Sequence, residues 1–314
     1  MPASIWKDYF VSLGSVEEAD YTIETGGTDI FSGHAVRRPD ESTLRVRIND
    51  ICADYLSHAV PSLNLLARKD GTAVTFQVRS GGVLVDTVQF VADWSHDYAH
   101  TSQAALAAPV NGRLSAAQAF IASVLSGAAQ TVIVNFKNGT SQSVSVSAAS
   151  SAEAQVISVP LGVFSNLASV TFNGVTYPVV PACARYALAY VNAFGGWDTL
   201  LMEGSTSQSD DYDRHTMEQE YDNGSRETRG TVEYANEVTR RWTLRTGWLT
   251  DAQAARMHHL LGSTTVMLYD ISVPALIPVI VTDTTCEYKT YRGSGARMVQ
   301  YTVSVQLAQD ITRR

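Results

Sequence analysis

The chain reads as a mainly β protein made of β-sandwich modules, the last of them with a flanking α-helix and a long arm or hairpin. Three observations predict this. Val299, Tyr301, Val303, Val305 and Leu307 interleave with Gln300, Thr302, Ser304 and Gln306, the period of two that buries one face of a strand. Turn pairs stand between apolar-alternating stretches at Gly81-Gly82, Asn138-Gly139 and Asn173-Gly174, residues that tolerate the positive φ of type I′ and II′ hairpins. Near the C-terminus, Thr250 stands as an N-cap with Gln253 as its capping-box partner, and Gly262 follows Leu260-Leu261 as a stop, which predicts a helix over 251–261.

Taken in order, Leu44–Ile48 reads as a strand, and Asn49–Leu56 as a short turn or helix opened by Asn49 or Asp50. The three turn pairs join Val74–Arg79 to Val83–Val91, Thr131–Lys137 to Ser141–Ser147, and Ser169–Phe172 to Val175–Val179. Leu114–Leu125 has the alanine content of a helix, with Ser115 as its cap, and equally that of a buried strand. Gly195-Gly196-Trp197-Asp198 reads either as a strand bend or bulge with Trp197 plugging the core, or as an exposed tryptophan at an interface or sugar-stacking platform. Glu237–Thr246 alternates again, with Val238, Trp242 and Leu244 on one face and Thr239, Arg241, Thr243 and Arg245 on the other.

Between Glu203 and Thr231 runs a long polar stretch poor in aliphatic residues. It is either an arm that is mobile until a partner orders it, or in part an extended hairpin turning at Asn223-Gly224. Tyr212 and Tyr221 would anchor it to a neighbour, and with Trp197, Arg226 and Arg229 they form the candidate interface set.

Composition sets further bounds. At 314 residues the chain is long enough for two or three domains with their own cores. The segmentation is an arm and β module over 1–98, a second small β module over 99–181, and a larger module over 182–314. The first two are also compatible with a single sandwich. Charged residues are only 17%, so the surface relies on Ser, Thr, Asn and Gln. The net charge of −8 argues against a broad basic face gripping nucleic acid. Cys52, Cys183 and Cys286 are odd in number and widely spaced, as expected of buried reduced thiols. Trp6, Lys7 and Asp8 stand where a secretory leader needs an apolar run. Asp270, Pro274 and Pro278 interrupt the most apolar stretch, so no membrane span is expected.

The candidate chemistry is thin. Asp210, Asp211 and Asp213 suggest a hard cation, yet lack the glycine and glutamate spacing of a calcium loop. His258-His259 are adjacent on a helix and so point about 100° apart, which suits the helix terminus better than a shared ion. His96 and His100, near Asp93 and Asp97, have helical spacing but no assured helix. No G-x-S-x-G elbow occurs, and the pairs Glu218/Glu220 and Asp210/Asp213 lie in a polar run unsuited to raising an acid's pKa. The sequence therefore predicts no catalytic residue, no cofactor and no metal.

A set of C-terminal segments resembles structural proteins of tailed bacteriophages, of tail-tube, distal-tail and baseplate type. They are Gly195-Gly196-Trp197-Asp198 with Leu200, Trp242-Thr243-Leu244, Gly247-Trp248-Leu249-Thr250, the helix to Leu261, Ile277-Pro278-Val279-Ile280-Val281 and Glu287-Tyr288-Lys289. The likeness spans about residues 183–311 and is one of pattern, since these families have no short diagnostic motif. It implies a β-sandwich flanked by one helix and a long hairpin. It also implies assembly into a ring, hexameric or trimeric, that contacts other tail or baseplate proteins in the virion after assembly in the host cytoplasm. The alternative expectation is a carbohydrate-binding or adhesin-like β-sandwich protein using Trp94, Tyr98 or Trp197 on exposed loops.

Overall fold

The computed structural model describes residues 3–92, 106, 112–149, 153–180, 184–218, 230–283, 298–309 and 311–313. The fold is mainly β, and α-helix among these residues is confined to Asn49–Ala53 and Asp251–Leu261. No helix among them is long and apolar enough to cross a membrane. The chain divides into two compact units, Met1–Pro181 with Val191–Thr199, and Ala182–Tyr190 with Leu200–Arg314.

The first unit holds two β bodies. In one, a five-stranded sheet runs in the order Ala3–Ser4, Val83–Val91, Ala73–Ser80, Glu18–Thr25, Thr28–Val36. Its inner face supplies Tyr21, Ile23, Phe76, Val78, Val88 and Phe90 to a core closed by Val11, Val46, Ile48 and Cys52, which come from the pair Phe10–Gly14 with Leu44–Arg47 and the short helix behind it. Burial pushes the Cys52 thiol up to about 12, so it is an inert packing group. Asn49 does not cap that helix. Its amide is spent on the N-terminal segment, accepting from the Tyr9 N–H at 2.8 Å and donating to the carbonyls of Ile5 and Lys7 at 2.7 and 2.8 Å.

The other body is a sandwich. A three-stranded sheet in the order Ala119–Val124, Gln155–Pro160, Leu66–Lys69 and a five-stranded sheet centred on Gln130–Phe136 and Leu167–Phe172 share the core of Phe120, Ala122, Val124, Ile157, Val132 and Val170. The alanine-rich segment is thus a strand rather than a helix. Ala119–Val124 is buried at every position, as befits a near-continuous apolar strand covered on both faces. Ser115 and Gln118 close a tight turn instead, with Gln118 Oε1 accepting from the Ser115 N–H at 3.2 Å and the Gln118 N–H donating to the Ser115 carbonyl at 3.2 Å.

The hairpin turns differ in type. Gly81-Gly82 and Asn173-Gly174 have positive φ at both central residues and join strands through two residues, as type I′ turns do. At Asn138-Gly139 only the glycine has positive φ, and the Gly139 N–H donates to the Phe136 carbonyl at 3.0 Å. This is a type I turn closed by a glycine bulge, because Lys137 takes part as well. Gly26-Gly27, with φ of 57° and 81°, makes another two-residue turn that the sequence reading passed over.

The turn from Asp70 to Thr72 links the two bodies, since Leu66–Lys69 pairs in the sandwich and Ala73–Ser80 in the first sheet. Asp70 is 1% exposed. Its Oδ1 accepts from the Ala59 N–H at 3.0 Å, and its Oδ2 has no hydrogen-bond partner among the described residues. Burial pushes this carboxyl up to about 6, against the lowering effect of the Ala59 N–H and Thr72. His58, whose Nδ1 lies 3.0 Å from the Thr72 hydroxyl, is pushed down to about 4 by burial.

In the second unit one sheet carries the fold, in the order Trp197–Met202, Tyr186–Val191, Val266–Asp270, Ala275–Val281, Thr302–Leu307, Thr231–Arg245, Ser207–Glu218, with Ile311–Arg313 also paired to Thr231–Arg245. The first two strands end in a tip, Val191–Thr199, that belongs to the first unit. The helix Asp251–Leu261 has the expected capping box, with the Thr250 side chain accepting from the Gln253 N–H. It ends at Gly262 without a left-handed residue there, as φ is −83°. Met257 and Leu260 pack with Leu188, Trp242, Leu244, Leu268, Val303 and Val305. Alternation in the last strand holds for Val299, Val303 and Val305 at 4% exposure or less, while Tyr301 and Leu307 are half-buried.

Two outcomes follow from this packing. Val303→Asp puts an unpaired charge at a position with 0% exposure and should cost more than about 4 kcal/mol, read as loss of the second unit's urea transition. A carboxyl held near 6 when folded, against about 4 unfolded, costs stability above pH 6 and ceases to do so as the pH falls toward 4. A histidine held near 4 costs stability as the pH falls through 6.5, so the two effects oppose each other in that window. Asp70→Asn should therefore raise stability at pH 8 by on the order of 2–3 kcal/mol and leave a steady loss on acidification from pH 6.5 to 4, measured by urea midpoints across that range.

Candidate assembly interface

The feature least explained by the chain's own core is the hairpin of Ser207–Glu218 and Thr231–Arg245. Twelve registered pairs connect them, from Ser207↔Thr243 to Glu218↔Thr231, with a bulge between His215 and Thr216 that leaves Tyr234 unopposed. Of the two readings of the polar run, the paired one holds over Ser207–Glu218, and the turn at Asn223-Gly224 lies outside the described residues. The base of the hairpin is anchored because Val238, Trp242 and Leu244 are 4%, 5% and 0% exposed. Beyond Val238 the longer strand shows no buried position, and Ser207–Glu218 shows none at all. Tyr212, Tyr234 and Met217 are 57%, 55% and 46% exposed.

Polar contacts organise the ribbon. Arg240 stands on the core face directly opposite Asp210 and makes two parallel bonds to it, Nε to Oδ1 at 2.8 Å and Nη2 to Oδ2 at 2.9 Å. That fork is the strong form of a carboxylate pair, and the hydrogen bond from Arg240 holds Asp210 below the ordinary carboxylate range. Arg241 approaches Asp211 at 3.3 Å on the other face, and Arg214 approaches Glu233 at 3.7 Å further out. Such exposed pairs contribute only ~0–1 kcal/mol each, and a two-stranded ribbon is marginal without a covering layer. Ser207–Glu218 also ends the sheet, so one row of its backbone groups faces outward along an edge marked by Asp210, Asp211 and Asp213. Carboxylates there oppose pairing with the same edge of another copy.

The structure separates the candidate residues. Tyr212 lies on the ribbon, whereas Tyr221, Arg226 and Arg229 lie outside the described residues, as do Trp94, Tyr98, His96, His100, Glu220, Cys183 and Cys286. Trp197 is a correction. It is 0% exposed, so the core-plug reading replaces the exposed interface or sugar platform. Gly195, at φ 80°, reverses the chain there, and Asn192 locks the reversal. Its Oδ1 accepts from the N–H groups of Phe194 and Gly196 at 2.8 and 3.2 Å, and its Nδ2 donates to the Leu106 carbonyl at 3.0 Å. Trp197 is then directed inward, its backbone N–H donating to Ser123 Oγ at 3.0 Å, while its indole Nε1 has no hydrogen-bond partner among the described residues. The three aspartates do not converge, because Asp210 lies on one face of a strand and Asp211 and Asp213 on the other. Sequence reasoning missed Arg240, Tyr234 and Met217. Strand parity from Trp242 would have placed Arg240 on the core face, but the bulge that releases Tyr234 leaves no local signal.

Neither the family models nor the curated proteins searched contain a match to this chain.

A Cβ at Gly196 would overlap the Leu106 carbonyl. Gly196→Ala should therefore cost at least about 2–3 kcal/mol and expose Trp197, measured as a red shift of its fluorescence together with a lowered melting temperature.

Proposed function

We propose that the chain is a non-catalytic structural component of a tailed-bacteriophage tail, of distal-tail, tube or baseplate type, that acts by joining identical subunits into a hexameric or trimeric ring. The observation that carries this reading is the ribbon of Ser207–Glu218 and Thr231–Arg245, which extends past its own core with exposed Tyr212, Tyr234 and Met217. A ribbon of this kind gains its covering layer from a neighbour, and a repeated head-to-tail contact closes into a ring when its rotation permits. The net charge of −8 suits a conduit that lets DNA pass without holding it. Among its described residues the second unit is mainly β with one helix, Asp251–Leu261, and a long hairpin, which supports the reading suggested by the resemblance of residues 183–311. On this reading the partners are further copies of the chain and other tail proteins, and the place of action is the virion.

The test shortens the arm without touching the core. Arg214 pairs with Asn236, so joining them through Asn-Gly replaces residues 215–235 by a two-residue hairpin turn and keeps the pairing of residues 236–238 with Ile311–Arg313. The full chain should form a ring in mass photometry and negative-stain images at high concentration. The shortened chain should melt at an unchanged temperature and remain monomeric. A full chain that stays monomeric at every concentration, or a shortened one that assembles equally well, would overturn the reading.

A further inference from the structure

A cleft of about 430 Å³ opens in the first unit, where the outer face of the five-stranded sheet meets the end of Leu66–Lys69. Its volume suits a small molecule, but its walls do not resemble the apolar lining of most ligand pockets. Glu24, Lys69, Thr75, Gln77 and Glu153 supply its charged and polar groups, while Thr25, Gly26-Gly27, Ala73 and Val74 complete the lining.

These groups are held in place. Glu153 Oε2 accepts from the Thr75 hydroxyl at 2.6 Å and from Gln89 Nε2 at 2.9 Å. Glu24 Oε2 accepts from Arg79 Nε at 2.7 Å, and Gln77 Oε1 accepts from Arg79 Nη2 at 3.3 Å. Each carboxylate thus has its second oxygen to offer, Gln77 has its amide donors, and the Lys69 ammonium makes no ion pair among the described residues. Cross-strand pairing of Glu24 with Gln77 and of Thr75 with Gln89 sets these four on a rigid sheet face, and the backbone of Lys69 is fixed by its pairing with Gln155 in the sandwich, which favours binding because little has to be ordered.

We infer that this cleft binds a neutral saccharide. Charge selects the class, since Glu24 and Glu153 are balanced by Arg79 and Lys69. A free anion meets Glu153 and a free cation meets Lys69. Neutral hydroxyl groups can both donate to the carboxylates and accept from the ammonium and amide. The inference concerns the first unit and does not rest on the assembly reading.

The experiment is a saturation-transfer NMR and calorimetric titration of the full chain. The probes are neutral hexoses, N-acetylhexosamines and their disaccharides, each alongside its uronic acid and free-amine counterparts. At least one neutral sugar should bind saturably, and its charged counterparts about tenfold more weakly. Glu153→Gln and Lys69→Met should each weaken binding by about tenfold. Both residues are exposed, so melting temperatures should not change. If Glu153→Gln fails to fold, Lys69→Met alone decides. Binding of none of the neutral sugars, preference for a charged counterpart, or affinity indifferent to both substitutions would overturn the inference.

Discussion

Backbone hydrogen bonding along Thr231–Arg245 is the constraint on which the second unit depends. This strand pairs with Ser207–Glu218 on one side and with both Thr302–Leu307 and Ile311–Arg313 on the other. Its buried half packs Trp242 and Leu244 against the helix residues Met257 and Leu260 and buries Val238, and its exposed half has no core beneath it. Buried N–H and C=O groups must be paired, so the register that seats Trp242 also fixes the position of every residue on the arm. Arg240 is positioned against Asp210 by that same register, and a slip of one residue would exchange the two faces.

The first unit meets a related demand by other means. Its two β bodies are joined by a turn whose carboxylate, Asp70, is buried with only part of its hydrogen-bonding capacity used. Against this cost stand a firm set of backbone bonds, with the Asp70 N–H donating to Ala154 and the Ala92 N–H to Thr72. A small apolar cluster of Ala73, Val91, Leu106 and Ala154 adds to them. The polar cleft opens beside this join. Glu24, Thr75 and Gln77 are organised there because the sheet that displays them has its other face locked onto the core of Ile23, Phe76 and Phe90.

The two surfaces offer different chemistry. The arm presents aromatic and sulfur side chains among ion pairs, on a ribbon that lacks a layer of its own, which fits protein contact of the kind proposed. The cleft presents fixed donors and acceptors of balanced charge, which fits a small hydroxylated ligand. An assembly component with a saccharide-binding first unit would join attachment and architecture in one chain.

Much of this was legible in the residues. Alternation at Val299–Leu307 and at Val238–Leu244, the capping box at Thr250 and Gln253, and the glycine turns are local signals, and local sterics and hydrogen bonding decide them. The arm was legible as a polar run, with a hairpin as one of two readings. Tertiary structure decided what local signals leave open. Ala119–Val124 became a strand because two faces were covered, which alanine content does not reveal. Asn49 gave its amide to residues 5 to 9 instead of to its helix, and Trp197 turned inward because Asn192 and Leu106 fixed the turn before it. The cleft was invisible in the sequence, since Glu24, Lys69, Gln77 and Glu153 are distant in the chain and only the long-range pairing within two different sheets brings them to one cleft. Sequence sets periodicity and turn chemistry, whereas burial and long-range pairing select which surface each side chain finally meets.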